Sequence, residues 1–98
     1  MPFQTEYSLH VHYKQGWATF TREEVLDFAP FVGLDILDDS VGQFTLTHVA
    51  WCGGPKAKMF LCQSQRMEPD KSLVQVKRML KAAGWAEVVE ARQRPLLG

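Results

Sequence analysis

Two histidines near the start of the chain stand two positions apart, a spacing at which both can bind one metal ion. His10 and His12 belong to the alternating segment 7–14, and residues two apart on a strand project from the same face. Imidazole and thiolate are ligands that zinc and similar metals accept. Cys62 can supply a third ligand if its strand lies beside the histidines. The metal hypothesis therefore names His10, His12 and Cys62, without the CxxC or HxxxH spacing of standard sites.

The same histidines can transfer protons without a metal, because imidazole titrates near neutral pH. One hypothesis is thus a small dimeric enzyme, or a metal-binding protein, that uses His10 or His12. The competing interpretation is that both side chains are solvated on a strand surface. Cys52 has no evident neighbouring base that would activate it as a nucleophile. No cofactor is predicted.

The two cysteines are predicted to be reduced thiols in a cytoplasmic protein. Cys52 and Cys62 flank a predicted hairpin turn at 53–56, and strand geometry separates them by about 16 Å. A disulfide requires Cα atoms about 4.4–6.8 Å apart. The first residues lack a basic start followed by an apolar stretch, and no apolar run approaches the ~18–20 residues of a membrane span.

Length and composition indicate a single globular domain. The chain has 98 residues, of which 46% are hydrophobic and 22% charged, and its formal net charge is zero. This composition is ordinary for a domain with one hydrophobic core. The domain is predicted over residues 1–92, with a flexible tail at 93–98. Because phosphate binding normally needs a positive excess, a nucleic-acid partner is not expected.

Hydrophobic periodicity and turn signals predict four strands and two helices. The strands span residues 7–14, 43–51, 58–64 and 87–91. The first helix is predicted from the capping box of Thr21 and Glu24, and it ends near Ala29 because Pro30 cannot continue it comfortably.

The second helix has the clearest signal. It is predicted to begin with Pro69 or Asp70 and to end at Gly84, with Trp85 packing back on Leu80. Five apolar residues repeat at helical spacing and should face the core: Leu73, Val76, Met79, Leu80 and Ala83. The order β-α-β-β-α-β is typical of a ferredoxin-like α+β sandwich. In that fold both helices cover one face of a four-stranded antiparallel sheet, and the other face stays open.

The open face of the predicted sheet suggests a protein-binding function. The side chains expected on it include His10, His12, Val49, Trp51, Phe60 and Cys62. Aromatic and apolar side chains on one sheet face form a patch too large to leave in water. Trp51 is the predicted anchor of a protein–protein contact. The competing interpretation is that Trp51 belongs to the core.

A second candidate surface is the basic end of the last helix. Residues 1–50 hold seven acids and two bases, whereas residues 51–98 hold four acids and nine bases. Either this polarity steers a charged partner, or an acidic helix lies beside a basic one. The basic residues concerned are Lys77, Arg78 and Lys81.

The sequence therefore predicts a small non-enzymatic binding or regulatory domain. Its partner is expected to be another protein or a second copy of the chain, as a homodimer. Inhibitors carried by phages and plasmids, such as anti-CRISPR proteins, are examples of this class. The enzyme or metal-binding hypothesis based on His10 and His12 is the alternative.

Overall fold

The computed structural model describes residues 2–38, 42–53 and 58–88, which form seven strands and one helix. The elements are β1 (Phe3–Tyr13), β2 (Gly16–Leu26), β3 (Asp35–Asp38), β4 (Gly42–Thr45), β5 (His48–Cys52), β6 (Met59–Met67), α1 (Leu73–Ala82) and β7 (Ala86–Glu87). Five strands form one sheet in the order β5-β6-β1-β2-β7, and β3 pairs with β4 in a separate hairpin. β1 and β6 run parallel, and the other pairs are antiparallel. The predicted ferredoxin-like sandwich is therefore wrong, because the sheet is mixed and five-stranded and carries one helix.

β1 and β2 form a long hairpin that organises the sheet. Eleven residues of each strand pair across a two-residue turn, from Tyr13 opposite Gly16 to Phe3 opposite Leu26. The alternation of β1 confirms the predicted first strand and its core-facing side. The buried side chains of β1 are those of Thr5, Tyr7, Leu9 and Val11.

The helix predicted at 21–29 is wrong, because most of this segment is the second half of β2. Thr21 and Glu24, the expected capping box, pair across the hairpin with β1. A capping box satisfies a few local backbone groups, whereas the strand gains a ladder with β1 and buries Phe20 and Leu26. Strand pairing therefore outweighs the local helix signal. Glu23 and Glu24 consequently lie on a strand, and in the described part of the chain no acidic helix stands beside α1.

The predicted strand 43–51 divides between two sheets, since β4 and β5 belong to different ones. Between them, the backbone N–H and the hydroxyl of Thr47 both donate to the Gln63 carbonyl. This break shifts the alternation by one residue. Leu46 is buried in the core, whereas Ala50, which the unbroken pattern places beside it, lies on the opposite face.

α1 confirms the predicted second helix and its apolar stripe. Ser72 is the N-cap, rather than Pro69 or Asp70, and it shares reciprocal capping-box bonds with Gln75. The core-facing residues are Val76 and Leu80, which are buried, and Leu73, Met79 and Ala83, which pack at the margin of the same cluster.

Gly84 ends α1 in a Schellman motif, as predicted. Its φ of 91° lies in the left-handed region that glycine adopts without strain. The Trp85 N–H donates to the Leu80 carbonyl at 3.0 Å, and the Gly84 N–H donates to the Lys81 carbonyl at 3.1 Å. This turn brings Trp85 back over the sheet, where its side chain is buried.

One face of the sheet carries the core, beneath α1 and the β3–β4 hairpin. On the other face, called the open face below, no helix or strand of the described residues packs. An aromatic trio joins the layers of the core: the rings of Tyr7, Phe44 and Trp85 have centroids 5.6, 5.7 and 6.5 Å apart. The Tyr7 hydroxyl and Trp85 Nε1 are buried and have no hydrogen-bond partner within the described ranges. Burial is the main cause that raises the pKa of Tyr7 to about 12.

Arg22 links the same layers through its charge. Its guanidinium lies 4.9 Å from the centroid of the Trp85 ring and forms ion pairs with Asp38 at 2.5 Å and Glu24 at 3.4 Å. It also donates to the Ala83 carbonyl at 3.4 Å. The Arg22 guanidinium, stacked on the Trp85 ring, therefore connects β2 with β3 and with the end of α1.

Part of the prediction lies outside the described residues. The expected strand 87–91 begins as β7, but residues 89–98, which include the predicted domain boundary and tail, are not among those described. Most of the expected turn at 53–56 is not described either. Within the residues that are described, no helix is long and apolar enough to cross a membrane.

Candidate protein-binding surface

Three aromatic rings meet at one corner of the five-stranded sheet. Trp51 on β5 packs against Phe60 on β6 with ring centroids 4.9 Å apart, and Phe60 packs against Phe3 on β1 at 5.9 Å. Trp51 nevertheless remains 55% exposed. These three residues are called the aromatic corner below. A large ring that is held in place and still exposed is typical of residues that anchor protein contacts.

Backbone pairing fixes the geometry of the aromatic corner. Trp51 lies directly opposite Phe60 in the antiparallel pair, and Phe60 lies beside Thr5 in the parallel pair. All three rings therefore project from the core-bearing side, at the end of the sheet where β1 begins. Gly53 bounds the indole, because a Cβ atom at this position would stand 2.8 Å from Trp51 Nε1. The orientation of the indole thus depends on a glycine two residues away.

An exposed apolar segment lies next to the aromatic corner. Residues 27–32, called the apolar loop below, leave β2 after Leu26, which pairs with Phe3. The loop ends at Gly33, whose N–H donates to the Leu46 carbonyl over the core. Its large exposed side chains are Phe28, Phe31 and Val32. The aromatic corner and the apolar loop therefore form a group of exposed apolar side chains, in contrast to the single exposed apolar residues that are common on protein surfaces.

The predicted contact residues Val49, Trp51 and Phe60 do come together, but the face predicted for them is wrong. They lie on the core-bearing side, where Val49 and Phe60 are half-buried and Trp51 is exposed. The prediction fails because both faces of β6 carry apolar residues. Cys62, expected on the open face, is buried, whereas the neighbouring Leu61 lies on the open face. The competing interpretation of Trp51 as a core residue is also wrong.

His10 and His12 lie on the open face, as predicted, but Cys62 does not join them. His10 Nδ1 is 2.9 Å from the Thr19 hydroxyl, and its ring stands edge-on to Trp17. Cys62 is buried on the opposite side of the sheet, so the three side chains cannot share one metal ion. Within the described ranges, no group of three or more metal-binding side chains occurs. Burial also raises the pKa of the Cys62 thiol, which keeps it protonated and unreactive.

The basic residues of α1 form a separate surface. Lys77 pairs with Glu87 on β7 at 3.1 Å, whereas Arg78 and Lys81 are exposed. β7 and β5 are the opposite edges of the sheet. The structure therefore does not bring Lys77, Arg78 and Lys81 together with Trp51.

The two cysteines fit the prediction of unpaired thiols. Cys52 is exposed on β5 and Cys62 is buried on β6. Cys52 lies opposite Met59, and Cys62 lies opposite Val49. The two side chains therefore project from opposite faces of the sheet and cannot form a disulfide with each other.

Sequence reasoning missed Phe3, Trp17 and the apolar loop as surface features. Phe3 continues the alternation of Thr5 and Tyr7, and this period-two signal indicates a strand that already begins at Phe3. Trp17 follows the turn of the first hairpin and lies on the open face opposite His12. The apolar loop has no distinguishing sequence signal, because its apolar spacing equally suits a buried helix.

No protein-family model, curated protein or solved structure matches this chain. The described part of its surface forms no enclosed pocket. Its most distinctive surface feature is the aromatic corner with the adjoining apolar loop.

Proposed function

We propose that this chain is a small non-enzymatic domain that binds a protein partner through the aromatic corner. The observation that carries the proposal is the state of Trp51, which is 55% exposed while its ring packs on Phe60 at 4.9 Å. An indole whose orientation is already fixed loses little conformational entropy when a partner covers it. Truncating such an anchor typically costs ~2 kcal/mol or more of binding free energy.

The apolar loop supports the same contact surface. Phe28, Phe31 and Val32 add exposed apolar area beside the corner. Removing apolar surface from water stabilises a complex by about 25 cal/mol per Å², before the costs of association are subtracted. A partner that covers both the corner and the loop gains this free energy from the apolar side chains of both.

Trp51→Ala is expected to weaken association strongly, whereas Trp17→Ala is expected to preserve it. The two tryptophans are equally exposed, at 55%, but Trp17 lies on the open face beside polar residues. The loss at Trp51 should correspond to roughly a 30-fold weaker affinity or more. Native mass spectrometry of the protein purified gently from its own source cells measures the bound partner. Circular dichroism of each variant establishes that the fold is kept.

Two outcomes would contradict this proposal. One is a wild-type protein that carries no second chain, and the other is a Trp17→Ala variant that loses its partner while Trp51→Ala keeps it. Gly53→Ala provides a variant that retains the indole. A Cβ at Gly53 would displace Trp51 Nε1, so binding should weaken although no aromatic side chain is removed.

Replacing His10 and His12 together with Gln is expected to leave the association unchanged. Both histidines lie on the open face, away from Trp51, and Gln can still bond to the Thr19 hydroxyl that contacts His10. The same native mass measurement checks this prediction. If the double variant loses the partner while its fold is intact, the binding surface would include the histidines, which would contradict its placement at the aromatic corner.

A further inference from the structure

We infer that β5 pairs antiparallel with β5 of a second copy, joining two five-stranded sheets into one continuous sheet. This inference rests on the proposed function, because Trp51 of the aromatic corner lies on β5. It names a second copy of this chain as the partner. The proposed interface has three parts: an unprotected edge, a self-complementary sequence, and an apolar contact across the seam.

The first part is the exposed backbone of β5. β5 is the edge of the sheet and pairs only with β6 among the described strands. Every second residue of an edge strand therefore directs an N–H and a C=O away from the sheet. Such a row of unpaired groups is a template for another strand.

Within the described ranges, the absence of charge distinguishes β5 from the opposite edge of the five-stranded sheet and from β3, whereas β4 of the separate hairpin is also uncharged. His48–Cys52 contains no Asp, Glu, Lys, Arg or Pro. β3 carries Asp35 and Asp38, β7 carries Glu87, and the part of β2 beyond β7 carries three charges at residues 22–24. Charged side chains on an edge discourage pairing with another chain. β5 therefore lacks the charged side chains that protect β3 and the opposite edge of its own sheet.

The second part is the self-complementarity of β5. A two-fold dimer uses the same surface of both subunits, so each residue must tolerate its symmetry-related neighbour. Full overlap of the five residues sets Ala50 opposite the partner's Ala50 and His48 opposite the partner's Cys52. Neither pair brings two carboxylates or two ammonium groups together. The strand can therefore meet its own copy without like-charge repulsion.

The third part is the contact on the core-bearing side. In the same register, Trp51 lies opposite the partner's Val49, and Val49 lies opposite the partner's Trp51. Both residues project from the core-bearing face, where Trp51 is 55% exposed. An aromatic residue opposite a β-branched one is a favourable cross-strand pair. The two aromatic corners would thus border one continuous apolar seam.

A charge-swap experiment at Ala50 tests the pairing. Ala50 is half-buried on the open face, opposite Leu61, so a long side chain can extend into solvent. Ala50→Lys or Ala50→Glu alone places like charges opposite each other, and each should raise the dimer dissociation constant by up to about fivefold. An equimolar mixture of the two variants places Lys opposite Glu and should restore the dimer. Analytical ultracentrifugation over a dilution series measures the masses against the 11.2 kDa monomer.

The register has its own test, which uses the native Cys52. His48→Cys places the introduced thiol opposite the partner's Cys52, so mild oxidation should yield a covalent dimer that a reductant separates. The wild-type protein should not cross-link, because Cys52 then faces the partner's His48. Equal cross-linking of the wild type and His48→Cys would overturn the proposed register.

The outcomes separate this inference from the proposed function. A purified wild-type chain that stays monomeric throughout the dilution series overturns the second-copy inference. So does a dimer of unchanged affinity in both charge variants measured separately. If the monomeric protein nevertheless retains a different protein through Trp51 in source-cell preparations, the proposed function stands while the inference fails. A dimer weakened in each charge variant and restored in their mixture supports the inference.

Discussion

Trp85→Ala is expected to destabilise the fold by about 3–5 kcal/mol, the usual cost of truncating a buried aromatic residue to alanine. Small domains typically have total stabilities of about 5–15 kcal/mol. This single substitution should therefore remove a large part of the free energy of unfolding. The midpoint of urea denaturation should fall accordingly.

The size of the effect follows from the three contacts of Trp85. The side chain is 2% exposed. Its ring packs edge-to-face with that of Phe44, with centroids 5.7 Å apart, and its centroid lies 6.5 Å from that of the Tyr7 ring. Its ring also lies under the Arg22 guanidinium. Removing the indole leaves a cavity at the point where α1, the β3–β4 hairpin and the sheet meet. It also removes the aromatic face on which the Arg22 cation is stacked.

Trp17→Ala is the matched control for this prediction. The same chemical change occurs at a side chain that is 55% exposed on the open face, where substitutions usually change stability by only about 0.5 kcal/mol. Far-ultraviolet circular dichroism is the appropriate signal, since both variants lose an indole and change the fluorescence. Equal destabilisation by the two variants would contradict the assignment of Trp85 to the centre of the core.

Tyr7→Phe is expected to make the protein more resistant to alkali. The folded-state pKa of Tyr7 is raised from 10.0 to about 12, mainly by burial and further by the Glu24 carboxylate. Above pH 10 the unfolded chain therefore loses the phenolic proton more readily than the folded one. The stability associated with this group is present below pH 10 and is lost as pH rises toward 12. The loss should reach roughly 2 kcal/mol by pH 12.

The phenylalanine variant should lack this part of the pH dependence. At pH 7 it should be as stable as the wild type, or more stable by about 1 kcal/mol, because it removes a buried hydroxyl that has no partner among the described residues. Urea denaturation at pH 7, 10 and 12 measures the difference between the two proteins at each pH. Tyr13→Phe, at a half-buried tyrosine at the end of β1, controls for other titrating groups. Parallel pH profiles for wild type and Tyr7→Phe would contradict the prediction.

Much of β1 and α1 could be predicted from the sequence because each has one unambiguous apolar face. Tyr7, Leu9 and Val11 alternate with polar residues, and strict alternation fits only a strand with one buried side. The apolar residues of α1 repeat at helical spacing, and Gly84 marks its end. Both signals arise within a short segment, so they predict the element without knowledge of its tertiary contacts. The positions of His10 and His12 on the open face follow directly from the first pattern.

The remaining elements could not be predicted in full, because they depend on long-range contacts between strands that the local sequence pattern does not reveal. Thr21 and Glu24 form a valid capping-box pattern, and only the eleven-residue pairing with β1 decides against a helix. β6 has apolar residues on both faces, so alternation could not determine whether Leu61 or Cys62 is buried. The face of Trp51 was predicted wrongly because the alternation shifts at Thr47. The sequence could therefore suggest Trp51 as a candidate contact residue, and the structure shows it exposed, although its face could not be predicted.

The parallel pairing of β1 with β6 has a consequence for how the chain folds. The β1–β2 hairpin closes a two-residue turn, and hairpins of this kind form in about 1–10 μs. β6 must instead return across the whole segment between Tyr13 and Met59, so its arrival carries the larger loop-closure entropy. During synthesis the hairpin emerges before β6 and α1 and exposes the apolar side of Tyr7, Leu9 and Val11 until those elements arrive. We therefore expect the docking of β6 and α1 to set the folding rate, and the early hairpin to be the species most prone to aggregate.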